Sequence, residues 1–306
     1  IMQGFTDPDI AFLNRTVPTP ASEDLMLALQ LIASIQGEAG ISDVSSAFGQ
    51  SIQGLRGPGK RLFAEPPEGR LPGEDGDVLV ELLTEIYGLV SGPPGWRRTL
   101  LSKFKDLEFS RHPLAPCVML MYETFETSSD TRKALRDKEN TPPYDLVVKK
   151  KSKKHLSGVV VIETDDLLFG GVGQKYHEGI KVLRASFKFG SWHSLREAPK
   201  QYGGVVLKQM QDYGFEVSMA RYLRDHARPV RIEKGPNGKP RNVADLAKPG
   251  EVTGSRASLG SMLWCTRKAC PQAAGDVSLL ASTLPTPTVK DICCLLYTSP
   301  SPRDRG

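Results

Sequence analysis

Two neighbouring carboxylates, Asp165 and Asp166, lie in the stretch VVVIETDDLLFGG (159–171), between the apolar runs Val159–Ile162 and Leu167–Phe169. This spacing predicts a hairpin whose tip carries Glu163, Thr164, Asp165 and Asp166, with no Gly or Asn to relax the turn. Adjacent carboxylates repel unless a positive charge stands between them, and hard divalent cations take such oxygen ligands. A solvated acidic turn accounts for the stretch equally well. A third carboxylate, Asp43, closes an apolar approach in ISDVSSAFGQSIQG, with Phe48 following in the same segment. One carboxylate on a strand and a pair at a neighbouring hairpin tip can hold two Mg2+ ions, or Mn2+, about 3.5–4 Å apart. That arrangement suits in-line attack of a hydroxyl on a phosphate.

The basic residues are distributed unevenly. Lys149, Lys150, Lys151, Lys153 and Lys154 form a block just upstream of the hairpin, and Arg132, Lys133, Arg136 and Lys138 precede it. Such a block is either a solvated loop or a strip for a polyanion's phosphates, with contacts that are sequence-independent and salt-sensitive. The net charge of +5 permits such a partner without requiring one. The five cysteines show no CxxC pairing and the five histidines are scattered, which argues against zinc and against a disulfide framework. Cys265 and Cys270 read as buried thiols of a helical bundle. GLRGPGK (54–60) imitates a phosphate-binding loop, but Arg61 stands where Ser or Thr must reach magnesium.

The elements that must position these residues mix strands and helices without a βαβ repeat, so the expected class is α+β. A helix is expected within 23–36, capped by Ser22, and a strand running into a turn at 40–48. Beyond a Gly/Pro-rich segment at 54–77 the sequence predicts a helix-like run at 78–89 and an amphipathic helix at 96–107 in which Trp96 is a packing residue. A strand at 117–122 follows, then a polar insertion at about 126–155 read as mobile. After the hairpin come a helix near 174–187, short strands around 187–192 and 203–209, and helical segments within 215–290 around a loop at 234–250. No stretch is apolar enough to span a bilayer, no secretory leader opens the chain, and a cytoplasmic or nuclear location is expected. Ile1 in place of Met suggests a start inside a fold. The final residues, LLYTSPSPRDRG, resemble translated adapter sequence, and 293–306 is set aside as a tail of that origin.

Six words carry a family resemblance, in order along the chain. DVSSAFGQSIQG resembles the DVKTAFLNG-like first catalytic motif of copia-type retrotransposon reverse transcriptases. FAEPPEG (63–69) is similar to that family's M-x-x-P-x-G element, and LLTEIYGLVSGPPGWRRTL (82–100) to its LYGLKQSPRxWY segment. ETDD takes the place of YVDD. FKFGSWHSLREAPKQYGGVVL (187–207) resembles the stretch ending in FLG, and SRASLGSMLWCTRKACPQAAGDVSLL (255–280) resembles YRSLVGSLLYLTxTRPDIxxxVS.

The resemblance implies a right-hand polymerase with partial fingers at 1–40, a palm of antiparallel sheet and helices at 41–215, and a helical thumb or connection at 216–292. It implies Asp43, Asp165 and Asp166 as catalytic metal-binding carboxylates, with the Val44 carbonyl as a further ligand. Phe48 would be the steric gate against a ribose 2′-hydroxyl, and Tyr87, Gly88 and Pro93 would shape the nucleotide pocket. The implied partners are a primed RNA or DNA template and dNTP, with no membrane. Integrase and RNase H would flank the domain in a polyprotein.

The chain departs from the family at Glu163–Thr164 in place of Tyr–Val, Val90 in place of Lys, Gly92–Pro93–Pro94 in place of SPR, and Gly49–Gln50 in place of Leu–Asn. Two other readings stand beside the polymerase: an inactive relic that only binds nucleic acid, and an unrelated metal-dependent phosphohydrolase.

Overall fold

The computed structural model describes residues 7, 9–13, 15–51, 61–66, 78–124 and 154–297. These divide into two compact units, 1–198 with 209–215, and 199–208 with 216–306. The class is α+β, with antiparallel strand pairing throughout the described registers.

The first unit is built on a six-stranded sheet. Its strands are β1 (Glu38–Val44), β4 (Ser110–Arg111), β5 (Val118–Thr124), β6 (Lys154–Glu163), β7 (Asp166–Gly171) and β8 (Phe189–Ser194), in the order β4-β5-β6-β7-β1-β8. β6 and β7 hold near-continuous buried runs, Ser157–Ile162 and Leu167–Gly171. Such runs belong to strands covered on both faces. Three helices supply cover: α1 (Ser22–Ser34), α2 (Gly92–Asp106) and α3 (Gln174–Ser186). Trp96, Leu100 and Phe104 of α2 and Tyr176 and Leu183 of α3 pack with Met119, Met121, Val160, Ile162, Leu167 and Phe169 of the sheet. These α2 positions recur at helical spacing and form one apolar stripe. Pro93 and Pro94 open α2, where their missing N–H groups cost nothing.

Close helix–sheet contact depends on two glycines opposite one another, Gly158 on β6 and Gly171 on β7. A Cβ added to Gly158 would lie 2.3 Å from the Tyr176 ring, and one on Gly171 would lie 2.4 Å from the Ser157 carbonyl. Gly158→Ala should therefore destabilise the unit by roughly 1–3 kcal/mol, the usual cost of overpacking. Urea unfolding followed by circular dichroism checks this, and an unchanged midpoint would contradict the packing.

Two local expectations are corrected. The run 78–89 is not helical: β3 (Val80–Leu82) pairs with β2 (Leu62–Ala64) in a two-stranded ribbon. Its apolar residues alternate too briefly to bury a helical face, and Leu79 and Leu83 are exposed. Ser22 does not cap α1. Ser22 is already helical, and the Ala21 N–H donates to the Asp24 carboxylate at 3.2 Å. The insertion at 126–155 falls outside the described residues apart from Lys154 and His155, which begin β6.

The second unit contains β9 (Lys200–Tyr202) and all but one end residue each of β10 (Val205–Gln209) and β11 (Phe215–Ser218), in the order β11-β10-β9, with Gln209 and Phe215 belonging to the first unit. It also contains helices α4 (Ala220–His226), α5 (Pro249–Lys268), α6 (Ala274–Thr283) and α7 (Val289–Tyr297). Leu259, Met262 and Val277 form its helical core. Cys265 is buried, which pushes its thiol up to about 12, whereas Cys270 is only partly buried. Helix α7 runs to Tyr297 and so enters the segment set aside as a tail. Among the described residues, no helix is long and apolar enough to cross a membrane.

Candidate active site

The β6–β7 hairpin turns through two residues, Thr164 and Asp165, closed by the pair Glu163↔Asp166. Across the next ladder Asp43 stands directly opposite Asp166. Directly opposed residues of an antiparallel pair project from the same face, so Glu163, Asp166 and Asp43 form one transverse row with Asp165 beside it at the tip. Like charges so opposed repel. The strain appears at Asp166: partial burial of its carboxyl, then the charges of Asp165, Asp43 and Glu163, push it up to about 6.

Backbone geometry fixes this row from several sides. The Val44 N–H donates to the Asp165 carbonyl at 3.0 Å, tying β1 to the tip. A register shift between Asp43 and Val44 interrupts the β1–β8 ladder at the same point. Thr164 has φ +57°, an unusual value for a β-branched residue. The Trp96 Nε1–H donates to the Thr164 carbonyl at 2.7 Å. Gly190 leaves room for the third acid, since a Cβ there would lie 2.7 Å from Ser45 Oγ and 2.8 Å from Asp43 Oδ2.

A lid of aromatic residues lies over this edge. Phe48 belongs to the 3₁₀ turn Ala47–Gln50, is 7% exposed, and packs with Val44, Trp96 and Leu100 in the core. The Tyr87 ring stacks at 4.5 Å from it, tilted by 42°, and is itself half exposed. Burial, then the charges of Asp165 and Asp43, raise the pKa of the Tyr87 phenol. Tyr87 thus stands against both acids and between Phe48 and solvent. Gly88 takes φ +100°, and the buried Ser91 Oγ–H donates to Glu85 at 2.6 Å, closing the loop that presents Tyr87. Pro93 sits at the start of α2 rather than in the row.

Of the expected site residues, Asp43, Val44, Asp165 and Asp166 come together, and Phe48, Tyr87 and Gly88 border them. Lys154 does not. It is exposed at the far end of β6, nine residues from Glu163 and so roughly 30 Å away along the strand. Lys149, Lys150, Lys151 and Lys153 lie outside the described residues.

Several positioning groups were not visible in the sequence. Gln50 donates through Nε2 to the Ser45 and Lys188 carbonyls at 2.6 and 3.1 Å and accepts from the Lys188 N–H at 2.8 Å, which fixes the turn after β1. Buried Gln209 brackets the start of β1, accepting from the Ala39 N–H and donating to the Gly37 carbonyl. Gln50 stands out in the sequence only as a departure from the family's Leu–Asn, and Gln209 not at all, because a single amide gives no spacing signal for such bonds.

The donor set is all oxygen and anionic, which fits a hard divalent cation. Glu163 Oε2 is buried without a hydrogen-bond partner. Among the described residues, no group of three or more His, Cys, Asp or Glu side chains is placed to hold a metal ion. No family model and no curated protein matches the chain.

Proposed function

We infer that this chain is the RNA-directed DNA polymerase domain of a copia-type retroelement polyprotein, a right-hand polymerase whose palm is the six-stranded sheet. The observation that carries the reading is the register pairing Asp43↔Asp166 with Asp165 in the adjoining turn. It supports the three acids of two separate sequence words acting as one centre.

The reaction is attack of a primer 3′-hydroxyl oxygen on the α-phosphorus of a dNTP. The new P–O bond forms as the bond to the bridging oxygen breaks, the hydroxyl proton passes to solvent water, and pyrophosphate departs with the bridging oxygen. Asp43, the Val44 carbonyl, Asp165 and Asp166 would hold Mg2+ ions. When bound, these supply an acidified hydroxyl and charge compensation for the phosphoryl oxygens. The protein's own contribution is placement. The hairpin and β1 fix the carboxylates relative to one another, and the Phe48–Tyr87 stack shapes the adjoining surface for the sugar. Phe48 would act as a gate through Tyr87, which covers it.

A second reading, a silent nucleic-acid binder, draws support from Glu163, which adds a fourth carboxylate to Asp43, Asp165 and Asp166. Primer extension on poly(rA)–oligo(dT) with Mg2+ separates the two. The wild type should extend the primer and Asp165→Asn should not. Template binding with no extension by the folded wild type favours the silent reading.

A further inference from the structure

Trp96 is conventionally a packing residue: it is 1% exposed, and its ring meets Phe187 edge-on at 5.1 Å. Its N–H, however, is aimed at the reacting edge. Indole is a donor only, and the acceptor it uses is the carbonyl of Thr164, the first residue of the hairpin turn. The next carbonyl along, that of Asp165, accepts from Val44 N–H on the neighbouring strand. The two carbonyls of the turn are thus held by two different elements, one by α2 and one by β1.

The turn needs such restraint for two reasons. A β-branched residue at φ +57° persists only where its surroundings over-determine it. The carboxylates in and beside the turn are also directly opposed or adjacent, and like charges so placed repel. Rotation of the Thr164–Asp165 peptide would swing Asp165 away from Asp43. It would also break the Val44 tie.

We propose that Trp96 is a positioning residue: its indole N–H clamps the Thr164 carbonyl so that Asp165 and Asp166 face Asp43 in the geometry that binds the divalent cation. The proposal rests on the polymerase reading only for its activity readout. Trp96→Phe keeps the aromatic packing and removes the N–H. The Val44 amide should exchange with solvent at least about tenfold faster in this variant, because its acceptor loses its anchor. Mn2+ binding measured by calorimetry without primer or dNTP should weaken about 10–100-fold, the usual effect of removing a group that orients a ligand. In primer extension, the Mg2+ half-saturation should rise by a similar factor while the KM for dNTP stays near wild type.

Wild-type exchange at Val44 together with wild-type Mn2+ affinity in Trp96→Phe overturns the proposal. If the wild type itself fails to extend primers, the polymerase reading fails, while exchange and Mn2+ binding still decide the role of Trp96. Should Trp96→Phe not fold, 3-benzothienylalanine at position 96 keeps the bicyclic shape without the N–H, and the same readouts apply.

Discussion

Asp166→Asn is expected to abolish nucleotidyl transfer and, in the absence of divalent metal, to make the protein more stable at pH 7. Both effects have one cause. Asp166 is opposed to Asp43 on one side and Glu163 on the other, with Asp165 adjacent in sequence. Partial burial of its carboxyl, then the charges of these neighbours, raise its pKa from 3.8 to about 6 in the folded state, so the proton is held more tightly folded than unfolded. Stability from this group is fully present below pH 3.8 and is lost as pH rises through about 6. At pH 7 the ionised carboxylate opposes folding, and the neutral amide removes the opposition.

Thermal unfolding in EDTA between pH 4 and pH 7 should show a falling stability in the wild type and a flatter profile in Asp166→Asn. Mg2+ should stabilise the wild type more than the variant, because a cation bound only to the folded state shifts the balance by mass action. Extension activity should drop by at least about 10²–10³-fold, the scale on which a preorganised electrostatic group acts. A variant less stable than wild type in EDTA, with an unchanged pH profile, would show that Asp166 is not repelled by its neighbours. Retained extension would remove it from the reaction centre.

How much of this was legible in the sequence depends on the range of the interactions involved. The hairpin could be read locally, since two apolar runs with a charged tip specify strand, turn and strand. The helix at 92–106 was also local, apart from its first turn, where Pro93 and Pro94 open it. The ribbon at 62–64 and 80–82 was missed because its partner strand lies across a long Gly/Pro-rich segment, and pairing at that distance leaves no periodic trace. The acids of the site could be named from their words. Their opposition in register could not, because Asp43 meets Asp166 only once β1 lies beside β7 in the sheet order. The supports were least legible. Trp96 shows in sequence only its apolar body, and whether its N–H finds a carbonyl depends on where α2 crosses the hairpin.

The second unit offers a prediction of comparable size that is independent of any activity. Glu251, in the first turn of α5, has a buried side chain, and Arg241 donates to both its oxygens at 2.8 Å. The N–H groups of Glu233 and Lys248 donate to the same carboxylate at 2.8 and 2.7 Å. Burial alone would raise the Glu251 pKa. These donors outweigh it and hold the carboxyl below its ordinary range. Glu251 therefore contributes stability that is present above its unfolded pKa of 4.5 and is lost as pH falls through its folded value. Arg241→Met leaves that carboxylate buried without its cation and should cost about 3–5 kcal/mol at pH 7, the range for breaking a buried pair on one side. Losing Arg241 removes part of what holds the Glu251 carboxyl down while both backbone N–H donors remain, so the acid-side loss of stability should shrink in the variant. Urea unfolding between pH 7 and pH 3 should find the variant losing less stability on acidification than the wild type. Adding Glu251→Gln should recover part of the loss, since no charge remains to be buried and the amide oxygen still accepts from one backbone N–H, while the other, which met the second carboxylate oxygen, now faces the amide NH2. If the single and double variants are equally unstable, Arg241 acts by packing its stem rather than by neutralising Glu251.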